Sequence, residues 1–482
     1  MKARNILESI SVICPGIAKQ NRRARELAKQ TVTPYVPVLT STLPKTDSSA
    51  HEPLGFYVMT DVHLWPDAFG DTDHRDQIIL RDSVKIITAT FERIKKDPDI
   101  HIVLIGGDLA EFAGNRVSHE QFRGLLDGLA ASGKELYVIP ASHDYNDEQG
   151  MTKEFVNQWY RDYIAPEKIV SICPGEYSYV AQVAPGCRLM NFVIDDGYTE
   201  NTLLWAEAQM AAARASGDYV FAMQHYPLLG PSPIYKLMGG SSFDGVIADR
   251  LADVGLEFLF TGHAHMQQIN HQVSPQGNTL YDIATASLIG YPQVWRKVTL
   301  GNEEMRIETM QLTEQELLDA GIPLNGMTND EYFKAYFDIM LNQLFYGAAY
   351  DIEQAIDHEF GIPREIAERY QKLIHFVGKR IYERDIGYVA RLLSFSRFLD
   401  DETKSINIKD AILTVIHLVF HGDEPYTPDT GLYLAFAFLF ERVKPILKLV
   451  SKEIAAFPDM IRDNLLYDKG PNDWHTELTR QK

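Results

Sequence analysis

The chain has 482 residues, 45% of them hydrophobic and 23% charged, an ordinary globular composition with material for two or three domains. With 66 acidic residues against 46 basic ones the net charge is −20, which repels polyanions and argues against DNA or RNA as a main partner. Its 3 cysteines, Cys14, Cys173 and Cys187, lack Cys-x-x-Cys spacing and support neither a disulfide framework nor a thiolate zinc site, so a reducing, cytoplasmic setting is the expectation.

Residues 1–50 read as an extension and linker. Met1 to Pro15 begins basic but carries Glu8 inside what would be the apolar region, against a secretory signal. Ser11-Val-Ile-Cys14 also lacks the small residue expected before a lipidated cysteine. Gln20 to Lys29 reads as a short basic helix with too thin an apolar face for a membrane anchor, and Thr31 to Ala50 is rich in Thr, Ser and Pro. No run reaches the roughly 18 uninterrupted apolar residues of a membrane-spanning helix.

From Gly55 strands alternate with helices. Phe56–Thr60 reads as a buried strand, Ser83–Lys96 as an amphipathic helix and Ile102–Ile105 as a second strand. A helix follows to Ser132, with Ser118 as its expected N-cap, then a strand at Leu136–Ile139 and a helix at Thr152–Ile164. Hairpin-like segments at Tyr177–Val183 and Arg188–Ile194 lead to a helix, Leu203–Ala215, and a strand, Tyr219–Met223. A helix at Gly245–Val254, a strand ending at Phe260 and strands across Asn278–Ala286 and Val294–Met310 complete an α/β layered domain over 51–312. Beyond Leu312 the strand signal disappears. Thr313-Glu-Gln-Glu and Thr328-Asn-Asp-Glu are helix starts of capping-box type, and 313–482 reads as a helical domain suited to serve as lid, dimer surface or partner platform.

Functional groups in an open α/β sheet collect past the carboxyl ends of strands. Here five strand ends deliver Asp61-Val-His63, Gly107-Asp108, Ser142-His143-Asp144, His225 and Gly262-His263-Ala-His265. In extended backbone His263 and His265 share a face, and neutral imidazole is the commonest protein metal ligand. Carboxylates mixed with imidazoles suit a pair of divalent ions, Mn, Fe or Zn more than Ca, that clamp both oxygens of an in-line displacement.

Taken in order, these pieces resemble the pattern of the calcineurin-like metallophosphoesterase superfamily, over about residues 55–300. The resemblance implies a four-layer α/β/β/α sandwich, here followed by an all-α C-terminal domain. It implies hydrolysis of a phosphomonoester or phosphodiester, in a small molecule or a phosphorylated substrate, by attack of a metal-bound hydroxide. Carried over, it places Asp61, His63 and His265 on one metal, His225 and His263 on the second, and Asp108 between them. His143 becomes a phosphate hydrogen-bond donor and proton donor, with Asp144 orienting it. Ser142 stands where the family has Asn, which by the resemblance puts it at the second metal as well. Its shorter hydroxyl reaches less, so a weaker second metal, a narrower substrate range or lower activity is expected.

Other readings of the same residues compete. A catalytically weakened scaffold acting through the helical domain is the main alternative. Adjacent Ser142-His143-Asp144 cannot line up as a hydrolase triad, and no Gly-x-x-x-x-Gly-Lys-Ser/Thr loop is present. His101 and His119 read as structural, Tyr226-Pro227 as a turn away from the site, and Phe436, Phe438 and Phe440 as core. The loop Trp65 to Arg75 reads equally as pocket lining or solvated loop, with Arg75 or Arg116 as a phosphate partner.

Overall fold

β1 (Leu54–Met59) shows how the layers arise: alternate side chains of one strand go to opposite faces, so Phe56 and Val58 enter one core cluster while Tyr57 and Met59 enter another. A strand covered on both faces belongs to the middle of a layered molecule. The computed structural model describes residues 52–66, 69, 77–195, 197–231, 245–356, 364–422, 430–447 and 470–480. The extension read at 1–50 lies outside the described residues, as does Arg75.

The strands are β1, β2 (Ile102–Gly106), β3 (Glu135–Ile139), β4 (Ile169–Ile172), β5 (Tyr179–Ala184), β6 (Cys187–Phe192), β7 (Tyr219–Gln224), β8 (Phe258–Thr261), β9 (Gln268–Val273), β10 (Thr279–Ala284), β11 (Trp295–Leu300), β12 (Glu304–Met310) and β13 (His475–Thr479). They form two mixed sheets in the orders β13-β12-β11-β1-β2-β3 and β4-β5-β6-β7-β8-β10-β9. β1, β2 and β3 run parallel, as do β6, β7, β8 and β10, while the remaining pairings are antiparallel. Phe56, Val58 and Leu104 meet Phe221, Met223, Phe258 and Phe260 between the sheets.

Helices cover both outer faces. α1 (Ser83–Lys95), α2 (Arg116–Ala130) and α3 (Lys153–Arg161) bury Ile87, Phe91, Phe122, Leu126 and Tyr160 with Tyr57, Val103 and Val138 of the first sheet. α4 (Glu200–Ser216) and α5 (Gly245–Asp253) bury Leu203, Met210, Ala248 and Leu251 with Val220, Ala222 and Leu259 of the second. The four layers expected from the resemblance are therefore present, each interface filled by its own apolar cluster. One helix start differs from expectation. α2 begins earlier, capped by Asn115, whose side chain accepts from Val117 N, while Ser118 sits inside the helix with its hydroxyl 3.3 Å from Glu111 O. Asn115 is the better cap because its extended backbone (φ −61°, ψ 135°) leaves the side-chain oxygen over the first turn.

The helical C-terminal region comprises α6 (Glu314–Asp319), α7 (Asn329–Tyr350), α8 (Arg364–Glu383), α9 (Ile386–Leu392), α10 (Ile408–His421) and α11 (Gly431–Leu447). Thr313 and Thr328 form the capping boxes read from the sequence, with Glu316 and Glu331. Phe333, Phe337, Val419 and Phe438 extend the cluster that lies on the first sheet's outer face, so the helices share its core. Phe438 stacks on Phe395 and Phe398 at 5.4 and 4.9 Å, a packing role. The strand β13 departs from the helical reading of this region. It pairs antiparallel with β12 and closes the first sheet's edge, which no local period could disclose. No helix among the described residues is long and apolar enough to cross a membrane.

Candidate metal centre

The loops after β1, β2, β3, β7 and β8 carry the ligand-type residues, and backbone hydrogen bonds lace these loops together. Asp61 N donates to Gly107 O at 3.1 Å and His63 N to Asp108 O at 2.9 Å. Gly262 N donates to His225 O at 2.8 Å, and His263 N reaches the Asp61 carboxylate at 2.9 Å, joining the two sheets. Among the described residues, 7 non-glycine residues have positive φ, and Asp61 (52°), His63 (39°), Asp108 (48°), His263 (64°) and His265 (53°) are five of them. Left-handed backbone costs such residues on the order of 1–2 kcal/mol each. Strain gathered on these five turns their side chains inward. Two glycines give the room: a Cβ on Gly107 would lie 2.5 Å from His225 Nδ1, and one on Gly262 would lie 2.5 Å from Asp61 Oδ2.

Two groups result. Asp61, His63 and His265 offer ligand atoms within 4.8 Å of one another, and so do Asp108, His225 and His263. The carboxylates face both groups, with Asp61 Oδ1 3.3 Å from His265 Nε2 and 3.9 Å from His225 Nε2. Asp108 Oδ2 lies 3.0 Å from His225 Nε2 and 3.9 Å from His63 Nε2.

Divalent cations fit this donor set. His225 Nδ1 is 2.8 Å from Gly106 O, a contact only Nδ1–H can make, which leaves the Nε2 lone pair of the neutral ring aimed at a carboxylate. Among the described residues that buried Nε2 makes no hydrogen bond, although Asp108 Oδ2 lies 3.0 Å away. His63 Nε2 and His265 Nε2 are 3.1 Å apart, near the roughly 3.0–3.4 Å expected of two nitrogens on one metal at about 2.1 Å each. His63 Nδ1 is held by Glu111 at 2.6 Å, and His265 Nδ1 contacts the Gln77 side chain at 2.5 Å, the outer support that metal-binding imidazoles use.

The electrostatics report the same demand for positive charge. Burial works against charge on His225, yet the Asp108 and Asp61 carboxylates raise it to about 9. Burial likewise opposes ionised Asp61, but His265 and His225 hold it down at about 2. His263 is lowered to about 3 by burial and the neighbouring His225, which keeps it neutral and able to ligate.

His143 is half-exposed, and its backbone N donates to Asp108 Oδ1 at 3.3 Å. Its orienting partner differs from expectation. Asp144 is fully buried and accepts from Leu109 N, Ala110 N and Ala141 N at 2.8, 2.9 and 2.8 Å, so it pins the β2 and β3 loops together. Burial and the nearby Asp108 charge push its carboxyl up to about 8 against those three donors. The carboxylate beside the His143 ring is Glu111, whose Oε1 lies 3.8 Å from Nδ1 and which, with Asp108, raises the imidazole to about 10. Sequence reading missed Glu111. Its signal was a carboxylate three residues after Asp108, at the start of the next short helix.

Ser142 is exposed at the rim, where its Oγ accepts from the Tyr226 hydroxyl at 2.7 Å. Tyr226 does not turn away as expected, because its ring lies 4.2 Å from that of His263. Arg116 pairs with Glu120 at 3.7 Å and lies over the Phe155 ring, apart from the site residues above. His119 is structural, its ring bonded to Tyr160 Oη at 2.7 Å and Asp144 O at 2.9 Å.

Residues 54–267 match the family model of calcineurin-like phosphoesterases, a span running from the first residue of β1 to just past His265. This region belongs to the calcineurin-like phosphoesterase family. No curated protein matches the chain. The phosphoesterase region is similar to a dimetal phosphatase from Danio rerio, at 12% identity and a TM-score of 0.39 over 53% of this chain and 95% of that one. It is also similar to a purple acid phosphatase from yellow lupin (Lupinus luteus) seeds, at 13% identity and a TM-score of 0.41 over 54% and 52%. A third likeness is to the anchor protein of the inner membrane complex of Plasmodium, at 11% identity and a TM-score of 0.36 over 54% and 84%. Scores this low do not bear on the chemistry of the phosphoesterase region.

Proposed function

We propose that the protein is a metal-dependent hydrolase of phosphomonoesters or phosphodiesters working at a dinuclear centre. The observation that carries this reading is the pair of adjoining groups, Asp61-His63-His265 and Asp108-His225-His263, whose two carboxylates face both. Each group would hold one divalent cation of the Mn, Fe or Zn kind, with Asp108 between them. Bound there, the cations supply Lewis acidity toward phosphoryl oxygens and a water-derived nucleophile at neutral pH.

The chain's own groups divide the remaining work. Glu111 holds both His63 and His143, so the imidazole that meets the leaving group keeps its proton until the ester oxygen needs it. Asp144 fixes the loops that carry Asp108 and His143 rather than touching substrate. The net charge of −20 favours small or phosphorylated protein substrates over nucleic acid.

Hydrolysis of p-nitrophenyl phosphate, bis-p-nitrophenyl phosphate and cyclic nucleotides in Mn²⁺, run beside Asp108→Asn, tests the proposal. Activity in the parent that falls to background in the variant is expected. Silence in both, with the metals bound, would replace the enzyme with a metal-holding scaffold.

A further inference from the structure

The hydroxyls of Tyr226 and Ser142 meet at the rim of the second group. Tyr226 follows His225 directly, and its ring lies against His263 at 4.2 Å and edge-on to His225 at 5.0 Å. The backbone that carries the phenol is held as well. Gln224 Nε2 donates to Tyr226 O at 2.5 Å, and Leu228 N and Leu229 N donate to the buried Asp282 carboxylate at 2.6 and 2.7 Å. A tyrosine packed this way does not swing, so its hydroxyl is a fixed donor.

That donor points at Ser142 Oγ, 2.7 Å away. A serine hydroxyl has one proton and two lone pairs, and with a lone pair taken by Tyr226 its proton is left for a group on its other side. Ser142 is exposed, whereas Asp108 and His225, in the group behind it, are buried. Its neighbour His143, also exposed, reaches Asp108 through the backbone N. Ser142 and His143 are thus exposed residues beside the buried second group.

We propose that Tyr226 and Ser142 form a two-hydroxyl donor chain that binds a non-bridging phosphoryl oxygen of the substrate, Ser142 making the contact and Tyr226 polarising it. The inference rests on the phosphoesterase reading above. Hydrogen bonds in series strengthen one another, so the serine proton is a better donor with the phenol behind it than alone.

Isothermal calorimetry of inorganic phosphate binding to the Mn²⁺-loaded full-length protein, with metal content measured on the same samples by plasma mass spectrometry, tests this. Tyr226→Phe and Ser142→Ala should each weaken phosphate binding about 3- to 10-fold, as the loss of one hydrogen bond does, with bound metal unchanged. The double variant should bind no more weakly than the weaker single variant, because the two hydroxyls act as one donor. Phosphate affinity within twofold of the parent in both single variants overturns the proposal. Multiplying losses in the double variant overturn it too, as does loss of metal from Tyr226→Phe. A parent that holds Mn²⁺ but binds no phosphate overturns the phosphoesterase reading itself, and the proposal with it.

Discussion

At residue scale the site is built by backbone strain and supporting contacts more than by the ligands' identities. His119 illustrates the support. It is wholly buried, and its ring holds the Asp144 carbonyl, so the loop bearing His143 rests on an imidazole that must stay neutral. Burial, with Arg116 adding to it, lowers this histidine to about 4 from an ordinary 6.5. Because the fold disfavours the protonated form, the stability His119 contributes is complete above pH 6.5 and is lost as pH falls toward 4. The loss is about 3 kcal/mol at pH 4. Urea unfolding from pH 7 to 4 should show this decline, and His119→Gln should flatten it by that amount; an equal slope in the variant would assign the decline to other groups. The sequence reading found the ligand-type residues because aspartate and histidine at strand ends are visible in one dimension. Glu111 and the Tyr226–Ser142 contact were not visible, since both depend on side chains from different loops arriving at one point.

At the scale of elements, the helix starts carried the clearest local signals. Thr328 and Glu331 satisfy each other's backbone N–H groups at 3.3 and 2.9 Å, and α7 then places Phe333, Phe337 and Met340 in the shared core. Thr328→Ala should cost about 1 kcal/mol in chemical unfolding, and the p-nitrophenyl phosphate hydrolysis proposed above should not change per folded molecule. A loss much above 2 kcal/mol would mean that this cap holds the helical region in place, not one helix alone. Elements that depend on partners were harder to read. β4, β9 and β13 are short edge strands whose sequences, Ile-Val-Ser-Ile, Gln-Ile-Asn-His-Gln-Val and His-Thr-Glu-Leu-Thr, give a weak period of two. Pairing creates them, and propensity merely permits it.

At whole-molecule scale the last described segment ties the helical region, the first sheet and the loops of the candidate site together. Arg296, fully buried in β11, donates to Asp473 O at 2.8 Å and to Ala284 O at 2.6 Å, and Trp474 Nε1 donates to His421 O at 2.7 Å. Gln267, two residues after His265, donates its backbone N–H to Phe420 O of α10 at 2.9 Å. A chain ending before Gly470 would strip β12 of its outer partner strand, leaving β11 on the other side, and leave buried Arg296 short of one acceptor. It should melt at least about 5 °C lower and aggregate on heating, as scanning calorimetry would show. An unchanged melting temperature would show that the segment is a passive tail.

The sequence by itself determined which side chains stand at the ends of which strands, because strand period and ligand type are local properties of the chain. It also determined that helices follow Leu312, through two capping boxes and a 3.6-residue apolar repeat. Only the tertiary structure decided that the carboxylates of Asp61 and Asp108 face both histidine groups, that Glu111 and not Asp144 stands beside His143, and that Tyr226 reaches Ser142. Those outcomes depend on distances between residues up to two hundred positions apart, which are set when two sheets close on a common core and which no local pattern encodes.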